Sequence, residues 1–193
     1  YTGDSVKFIL PAALDRRVRE FAQAHEMSAF MSYLGFVFIL LHKYSRQQNI
    51  IVGSPVAGRD HHDLHDQIGF YVNALAIRNS IDPEATVSEF YEGIKQKVIG
   101  SLEHQLYPFD GLLEQINIER DLSRSPLFDV FLSYQNFDQN RQQHLSAAGL
   151  SVETFERDFV MSKYDLSFYV EERQVVFTDR KSTRLNSSHQ IIS

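Results

Sequence analysis

The chain has 193 residues, 43% of them hydrophobic and 12% aromatic, so it is the size of one domain and can bury a substantial core. Its formal net charge is -6 with both signs interspersed, which argues against a nucleic-acid partner because phosphate backbones bind to basic stripes. It contains no cysteine, which excludes disulfides, thiolate zinc ligands and thiol nucleophiles, and which is compatible with a reducing, cytoplasmic setting.

No segment of the sequence predicts a membrane span or a secretory leader. The longest apolar run, at 36–41, has six residues, whereas a helix that crosses a bilayer needs about 20. The chain begins at Tyr1 without a methionine or a charged-then-apolar leader, from which we expect an internal starting point in a longer protein.

A short strand and a helix are predicted at the start of the chain. Val6, Phe8 and Leu10 alternate along the chain as the residues on one face of a short strand would. Pro11 follows where a helix can begin, since its missing N-H has no partner to lose there. A helix at about 12–25 then has its apolar positions on one face.

A more apolar helix and a strand come next. Ser28 is a plausible N-cap for a helix that ends near Tyr44. The centre of this helix, at 36–41, is apolar all round, so we expect it to be buried on more than one side. The segment 49–56 is rich in β-branched residues and ends in proline and glycine, which predicts an interior strand.

The second half continues the alternation of strands and helices. Thr86 and Glu89 form a capping box that starts a helix with an apolar stripe running to Leu102. The other predicted elements are strands at 71–78, 127–134, 150–155 and 164–170, a short helix opened by Pro108, and a polar connector at 135–148. Strands that alternate with helices predict an α/β layer structure.

Three histidines and three carboxylates lie together at 60–66 and could hold a metal or act in acid/base chemistry. A polar run after Gly58 and Arg59 is more typical of a solvated loop, which is the interpretation that we favour. The segment also matches the pattern His-His-x-x-x-Asp-Gly except that Gln67 stands in place of the glycine.

Three further motifs carry a family resemblance. Residues 68–78 (IGFYVNALAIR), with the preceding 51–59 (IVGSPVAGR), resemble the IGxFVNT motif of condensation domains. Residues 104–110 (HQLYPFD) resemble the family's HQDYPFE motif, and residues 120–128 (RDLSRSPLF) resemble RDxSRNPLF. The order and spacing match those of the family over about residues 1–177, so the chain resembles part of a nonribosomal peptide synthetase condensation domain.

The resemblance implies a fold and an activity. Condensation domains share the α/β fold of chloramphenicol acetyltransferase, with two layered sheet-and-helix subdomains and a tunnel between them. They join aminoacyl or peptidyl thioesters that carrier proteins hold on phosphopantetheine, and a peptide bond forms. We expect residues 1–179 to be the C-terminal subdomain and residues 180–193 to be a non-native tail that resembles a translated sequencing adapter.

The same resemblance places the catalytic histidine motif in the preceding subdomain, outside this chain. Residues 60–66 then lie on a variable surface connection and are a decoy for that motif. We therefore expect no catalytic residue, no metal and no directly bound cofactor in the chain, and no activity of the chain alone. The expected partners are carrier proteins, neighbouring synthetase domains and the N-terminal subdomain.

Two residues are predicted to line the tunnel or to position substrate, namely Ser54 and Asn73. For Asn73 the alternative is an amide that satisfies backbone groups. Ser54 is not part of a Gly-x-Ser-x-Gly nucleophile elbow. The residues expected to act structurally are Arg59, Gly69, Arg78, His104, Pro108, Arg120, Asp121 and Arg124, with Arg120 and Asp121 in a salt-bridge or capping role.

The motifs depart from the family at four positions. The chain has Ala74 for threonine, Leu106 for aspartate, Asp110 for glutamate and Ser125 for asparagine, so no catalytic work is assigned to Ala74 or Leu106. Two other functions stay open. One is a catalytically degenerate module that docks carrier proteins, and the other is a free-standing acyltransferase of the same fold.

Overall fold

The structure is a computed structural model that describes residues 3–59, 61–116, 124–135, 162–171 and 174–180. The structural statements that follow refer to those residues. The predicted strand at 150–155, most of the connector at 135–148, the pair Arg120 and Asp121, and residues 181–193 lie outside them.

The described elements follow one another as strand, two helices, two strands, two helices and three strands. Their bounds are β1 Gly3–Ile9, α1 Ala12–Ala24, α2 Ala29–Ser45, β2 Asn49–Val56, β3 Asn73–Ser80, α3 Val87–Glu103, α4 Phe109–Gln115, β4 Val130–Gln135, β5 Leu166–Glu171 and β6 Gln174–Arg180. Each predicted helix and each predicted strand within the described residues is therefore confirmed, with ends that shift by at most three residues.

One mixed sheet joins the six strands in the order β1-β6-β5-β4-β2-β3. The neighbours β2, β4 and β5 run parallel, and the pairs β2-β3, β5-β6 and β1-β6 run antiparallel. The strand β6 was not predicted from the sequence; it pairs residue by residue with β1, from Gly3 opposite Arg180 to Ile9 opposite Gln174. The α/β class that was predicted is the class observed.

The helices α1, α2 and α3 cover one face of this sheet and enclose the core. Leu34 and Phe38 of α2 are fully buried, as are Val52 of β2, Ile94 of α3 and Leu132 of β4. Every second side chain along β2, β3, β4 and β5 therefore points into this helical layer, because successive side chains of a strand lie on opposite faces of the sheet.

The predicted burial of α2 on more than one side holds only in part. Val37 and Phe38 are buried, but Phe36 and Leu40 are each about two-fifths exposed, so one face of the helix is open. At Gly35 the helix backbone lies so close to α3 that a Cβ would come within 2.3 Å of Tyr91 Cε1. The apolar run thus serves both close helix packing and an outer surface.

None of the described helices is by itself long and apolar enough to cross a membrane. The helices α1 and α2 pass such a test of length and composition only when taken together, and they are bent by 106° relative to each other.

The predicted capping box at the start of α3 is present. Thr86 N-H donates to Glu89 Oε2 over 2.9 Å, and Glu89 N-H donates to Thr86 Oγ1 over 3.3 Å. The Thr86 hydroxyl also donates to Glu89 Oε2, and these bonds hold the pKa of Glu89 below its usual value. Two N-H groups at the helix start are thereby satisfied.

Replacing Thr86 by alanine is expected to lower the free energy of unfolding by about 0.5–2 kcal/mol, because the cap is lost. Urea unfolding followed by circular dichroism measures the effect. The matched control is Ser88→Ala, an exposed hydroxyl in the same first turn that does not cap the helix. Equal midpoints for the two variants would contradict the assigned role of the box.

Candidate functional site

The first sequence motif bonds directly to the second through Asn73. Its Nδ2 donates to Gln105 O over 2.8 Å and to Tyr107 O over 2.7 Å, and its Oδ1 accepts from Phe109 N-H over 3.2 Å. Asn73 is the first residue of β3, where it pairs with Val56. Both amide hydrogens are therefore used on the turn that joins α3 to α4, which is the backbone-satisfying alternative considered for this residue.

The same turn is closed by the other residues of its motif. His104 ends α3, and its Nδ1 hydrogen bonds with Gly100 O at 2.9 Å. Tyr107 N-H donates to His104 O, which makes one tight turn, and Pro108, with φ at -62°, is the residue immediately before α4. Proline fits there because its fixed φ matches the start of a helix. Leu106 is left at the tip of the turn, 70% exposed.

The third motif reaches the junction through an aromatic ring. Phe128 is buried, and its ring centroid lies 5.5 Å from that of Phe109 and 5.4 Å from that of Tyr164. Gly53 of β2 lies under the ring, since a Cβ there would come within 2.0 Å of Phe128 Cε2. Glycine is thus required at position 53 by the close approach of the ring. All three motifs meet at one end of β2 and β3.

Arg59 organises the loop that joins β2 to β3. Its guanidinium donates to the carbonyls of Leu64, Gln67 and Gly69, the latter two over 2.8 and 3.2 Å. It also lies over the ring of Tyr71, 4.4 Å from the centroid, in a cation-π contact. One side chain therefore fixes the course of the loop in three places.

Two glycines permit this loop conformation. Gly58 has a φ of +62°, and a Cβ there would come within 2.0 Å of Tyr71 O. At Gly69 a Cβ would come within 2.8 Å of the Tyr71 ring. A side chain at either position would displace Tyr71, whose hydroxyl donates to Gln67 Oε1 over 2.7 Å.

The remaining predicted site residues lie apart from one another. Ser54 is buried in β2 opposite Leu75. Arg78 donates to Asn49 Oδ1 over 3.2 Å, across the β2-β3 pair. Arg124 forms an ion pair with Asp129, with Nε 3.3 Å from Oδ1 and Nη2 close to Oδ2.

The histidine-rich segment is a surface loop with a single 3-10 turn at His62–Leu64. His61 Nδ1 accepts from Asp63 N-H over 3.3 Å, and the side chains of His61, His62 and Asp63 are largely exposed. Within the described part of the chain, which omits Asp60, no group of three or more His, Cys, Asp or Glu residues could hold a metal ion.

Sequence reasoning found the three motifs but not their contacts. The bonds from Asn73 span 32 to 36 residues, so no local pattern could indicate them. One usable signal was the residue type, since an asparagine near the start of the strand predicted at 71–78 carries side-chain donors that the strand itself does not satisfy.

The fold and this junction define a class of protein, an α/β layer structure in which helices cover one face of a mixed sheet. A sequence model of the family described as "Condensation domain" matches residues 1–178. The chain belongs to the condensation-domain family, whose members are amide-forming enzymes of the acyltransferase type, so the resemblance to that family is confirmed.

Curated relatives agree with this assignment. Gramicidin S synthase 2 of Brevibacillus brevis is 37% identical over 174 residues, which is 90% of this chain and 4% of the relative. Tyrocidine synthase 3 of Brevibacillus parabrevis is 35% identical over 193 residues, 99% of this chain and 3% of the relative. The chain therefore spans only a few per cent of the length of these proteins.

Solved structures show the same fold. The condensation domain from the Monacolin K polyketide synthase MokA matches with a TM-score of 0.77 at 18% identity, over 93% of this chain and 42% of that chain. The four-domain nonribosomal peptide synthetase holo-AB3403, bound to AMP and glycine, matches with a TM-score of 0.78 at 22% identity, over 98% of this chain and 15% of that chain.

Proposed function

We propose that this chain is the C-terminal subdomain of a nonribosomal peptide synthetase condensation domain. The domain would form a peptide bond between two substrates, each held as a thioester on the phosphopantetheine of a carrier protein. The observation that carries the proposal is the meeting of three family motifs at one junction, through Asn73, Phe109 and Phe128. Membership of the family supplies the reaction class.

In the proposed reaction the acceptor amine attacks the carbonyl carbon of the donor thioester. The C-N bond forms, the C-S bond breaks, and the amine proton is removed while the phosphopantetheine sulfur leaves and is protonated. Holding two tethered substrates in line can supply much of the acceleration. This chain would contribute a wall of the tunnel, while the histidine that handles the proton belongs to the N-terminal subdomain. Ser54, predicted from the sequence as a lining residue, is buried on the side of β2 that faces the helices, so we do not propose it for that wall.

Within this proposal Asn73 positions the α3-α4 turn rather than a substrate atom. Both of its donors are used on Gln105 O and Tyr107 O, so one lone pair of Oδ1 is the hydrogen-bonding capacity that its amide retains. Carrier proteins, neighbouring synthetase domains and the N-terminal subdomain are the proposed partners, in the cytoplasm.

The test uses the complete condensation domain encoded by the native gene, with one donor and one acceptor carrier protein loaded chemically. We expect mass spectrometry to detect a dipeptidyl product on the acceptor carrier, and no product when residues 1–193 replace the complete domain. Product from the chain alone would contradict the assignment of the proton-handling group to the other subdomain. Transfer from a soluble acyl thioester, or binding of carriers without product, would favour the two alternative functions.

We also propose that residues 180–193 are foreign to the natural protein. The family match ends at residue 178, which supports the proposal, whereas the alignment to tyrocidine synthase 3 covers 99% of the chain and speaks against it. Sequencing the native gene across this point decides between them. A native reading frame that encodes the segment 180–193 (RKSTRLNSSHQIIS) would contradict the proposal.

A further inference from the structure

Four aromatic rings meet on the face of the sheet opposite the helices α1, α2 and α3. They come from separate segments, namely Phe109 of α4, Phe128 before β4, Phe131 within β4 and Tyr164 before β5. These four residues are called the aromatic cluster below. The core cluster on the helical face includes none of them. Phe131 follows Val130, which packs against that core, so the ring of Phe131 lies on the opposite face.

Tyr164 makes the closest ring contact of the aromatic cluster. Its ring is stacked on that of Phe131, with 4.6 Å between the centroids and 8° between the planes, and its centroid lies 5.4 Å from that of Phe128. Ring pairs at such distances attract each other beyond the effect of the area that they bury. Phe128 in turn lies against Gly53 and has its centroid 5.5 Å from that of Phe109. The cluster therefore connects the start of β5 with the start of α4.

The backbone around Tyr164 is fixed on both sides of the residue. The hydroxyl of Ser162, a buried residue, donates to Tyr164 O over 2.6 Å, and Leu166 N-H donates to Asp129 O over 3.2 Å. The ammonium group of Lys163 lies over the Tyr164 ring, 5.4 Å from its centroid, in a cation-π contact. A ring that is held in this way can fix the positions of the rings packed against it.

The aromatic cluster lies where the proposed reaction needs a wall of fixed shape. The helical face of the sheet is filled by the core, so the opposite face is the one that remains for a wall of the substrate tunnel. Phe131 and Tyr164 are both half-buried on that face. At the other end of the cluster, Phe109 N-H donates to Asn73 Oδ1 over 3.2 Å. The cluster thus links this face of the sheet to the junction of the three motifs.

We infer that Tyr164 is a positioning residue for peptide-bond formation, an inference that rests on the proposed function. It acts through Phe131 and Phe128 and touches no reacting atom. Its ring fixes the shape of the wall and the place of Phe109, so its loss shifts the alignment of the two tethered substrates rather than weakening the binding of their carriers. A displacement of about 1 Å in such an alignment can cost about 100-fold in rate.

Steady-state kinetics of the complete domain, with loaded donor and acceptor carrier proteins, test this inference. For Tyr164→Leu, which removes the flat ring, we expect kcat to fall at least about 10-fold while KM for each carrier changes less than about 2-fold. Tyr164→Phe keeps the ring and is expected to hold kcat within about 2-fold of the natural sequence. The matched control is Phe90→Leu, which removes a half-buried ring 5.2 Å from that of Tyr91 in the helical layer and should leave kcat within about 2-fold.

Hydrogen exchange at the Phe109 amide gives a second measurement, which needs no catalysis. We expect it to be at least about 10-fold faster in Tyr164→Leu than in Phe90→Leu, because the aromatic cluster no longer holds the start of α4. Equal kcat values for these two variants, equal exchange rates, or a Tyr164→Phe variant as slow as Tyr164→Leu would each overturn the inference. If Tyr164→Leu does not fold, Phe131→Leu removes the other ring of the stack and replaces it. A complete domain of natural sequence that forms no peptide would overturn the proposed function, and the exchange rates distinguish that failure from a failure of the cluster.

Discussion

Replacing Phe38 by alanine is expected to lower the free energy of unfolding by about 3–5 kcal/mol, because its ring is fully buried. The side chain belongs to the central helix α2 and lies in the core cluster with Val52 of β2 and Ile94 of α3. Truncation removes its apolar contacts and leaves a cavity that the packed helical layer cannot close fully.

The matched control is Phe36→Ala, two positions away in the same helix, where the ring is about two-fifths exposed. We expect it to cost roughly half as much or less, since cavity and transfer terms scale with burial. Urea unfolding of the complete domain, followed by circular dichroism, compares the two. If Phe38→Ala does not fold, Phe38→Leu is compared with Phe36→Leu instead. A larger loss for the Phe36 variant than for the Phe38 variant with the same substitution would contradict the described packing.

Sequence reasoning recovered the helices best, because their signals are local. Three local signals lie where the sequence pattern predicts them. They are the N-cap Ser28, the capping box of Thr86 with Glu89, and the proline just before α4. Strand starts were less accurate, since β3 begins at Asn73 rather than at 71 and β4 at Val130 rather than at 127.

The pairing of the strand β6 could not be predicted from local sequence, for a different reason. Its partner β1 lies at the other end of the chain, and pairs such as Val6 with Phe177 join residues that are 171 positions apart, counted as 177 minus 6. Such pairing is decided by the folded sheet rather than by any window of neighbouring residues. The parallel neighbours β2, β4 and β5 likewise depend on connections that periodicity does not reveal.

The candidate site was predicted as a set of motifs, and its geometry as a junction came only from the fold. The motif residues Asn73 and Pro108 were singled out individually. The contact that links their motifs is the hydrogen bond from Asn73 Nδ2 to the carbonyl oxygen of Tyr107, the residue before Pro108. The exposure of Ile68 and Phe70 could not be predicted from the sequence either. Their spacing resembles the alternation of a half-buried strand, but both residues lie before β3 begins. A family motif thus marks both internal packing and an outward surface.

Replacing Asn73 by aspartate is expected to lower the free energy of unfolding by about 1–3 kcal/mol, because it removes two donors while keeping the size of the side chain. The new carboxylate would face the carbonyl oxygens of Gln105 and Tyr107, which repel a negative charge. Only the bond from Phe109 N-H would survive. Urea unfolding of the complete domain gives the loss, and hydrogen exchange at the Phe109 amide reports on the turn.

The control for this change is Asn49→Asp, where the asparagine Oδ1 accepts from Arg78 and the resulting carboxylate accepts more strongly. We expect that variant to be neutral or slightly more stable. The comparison also separates the two roles considered for Asn73. A positioning role predicts that stability, Phe109 protection and the rate of peptide-bond formation fall together, and that leucine at position 73, which has no donors, behaves like aspartate. A substrate-binding role predicts a lower rate with unchanged unfolding and exchange, and that result would return Asn73 to the wall of the tunnel.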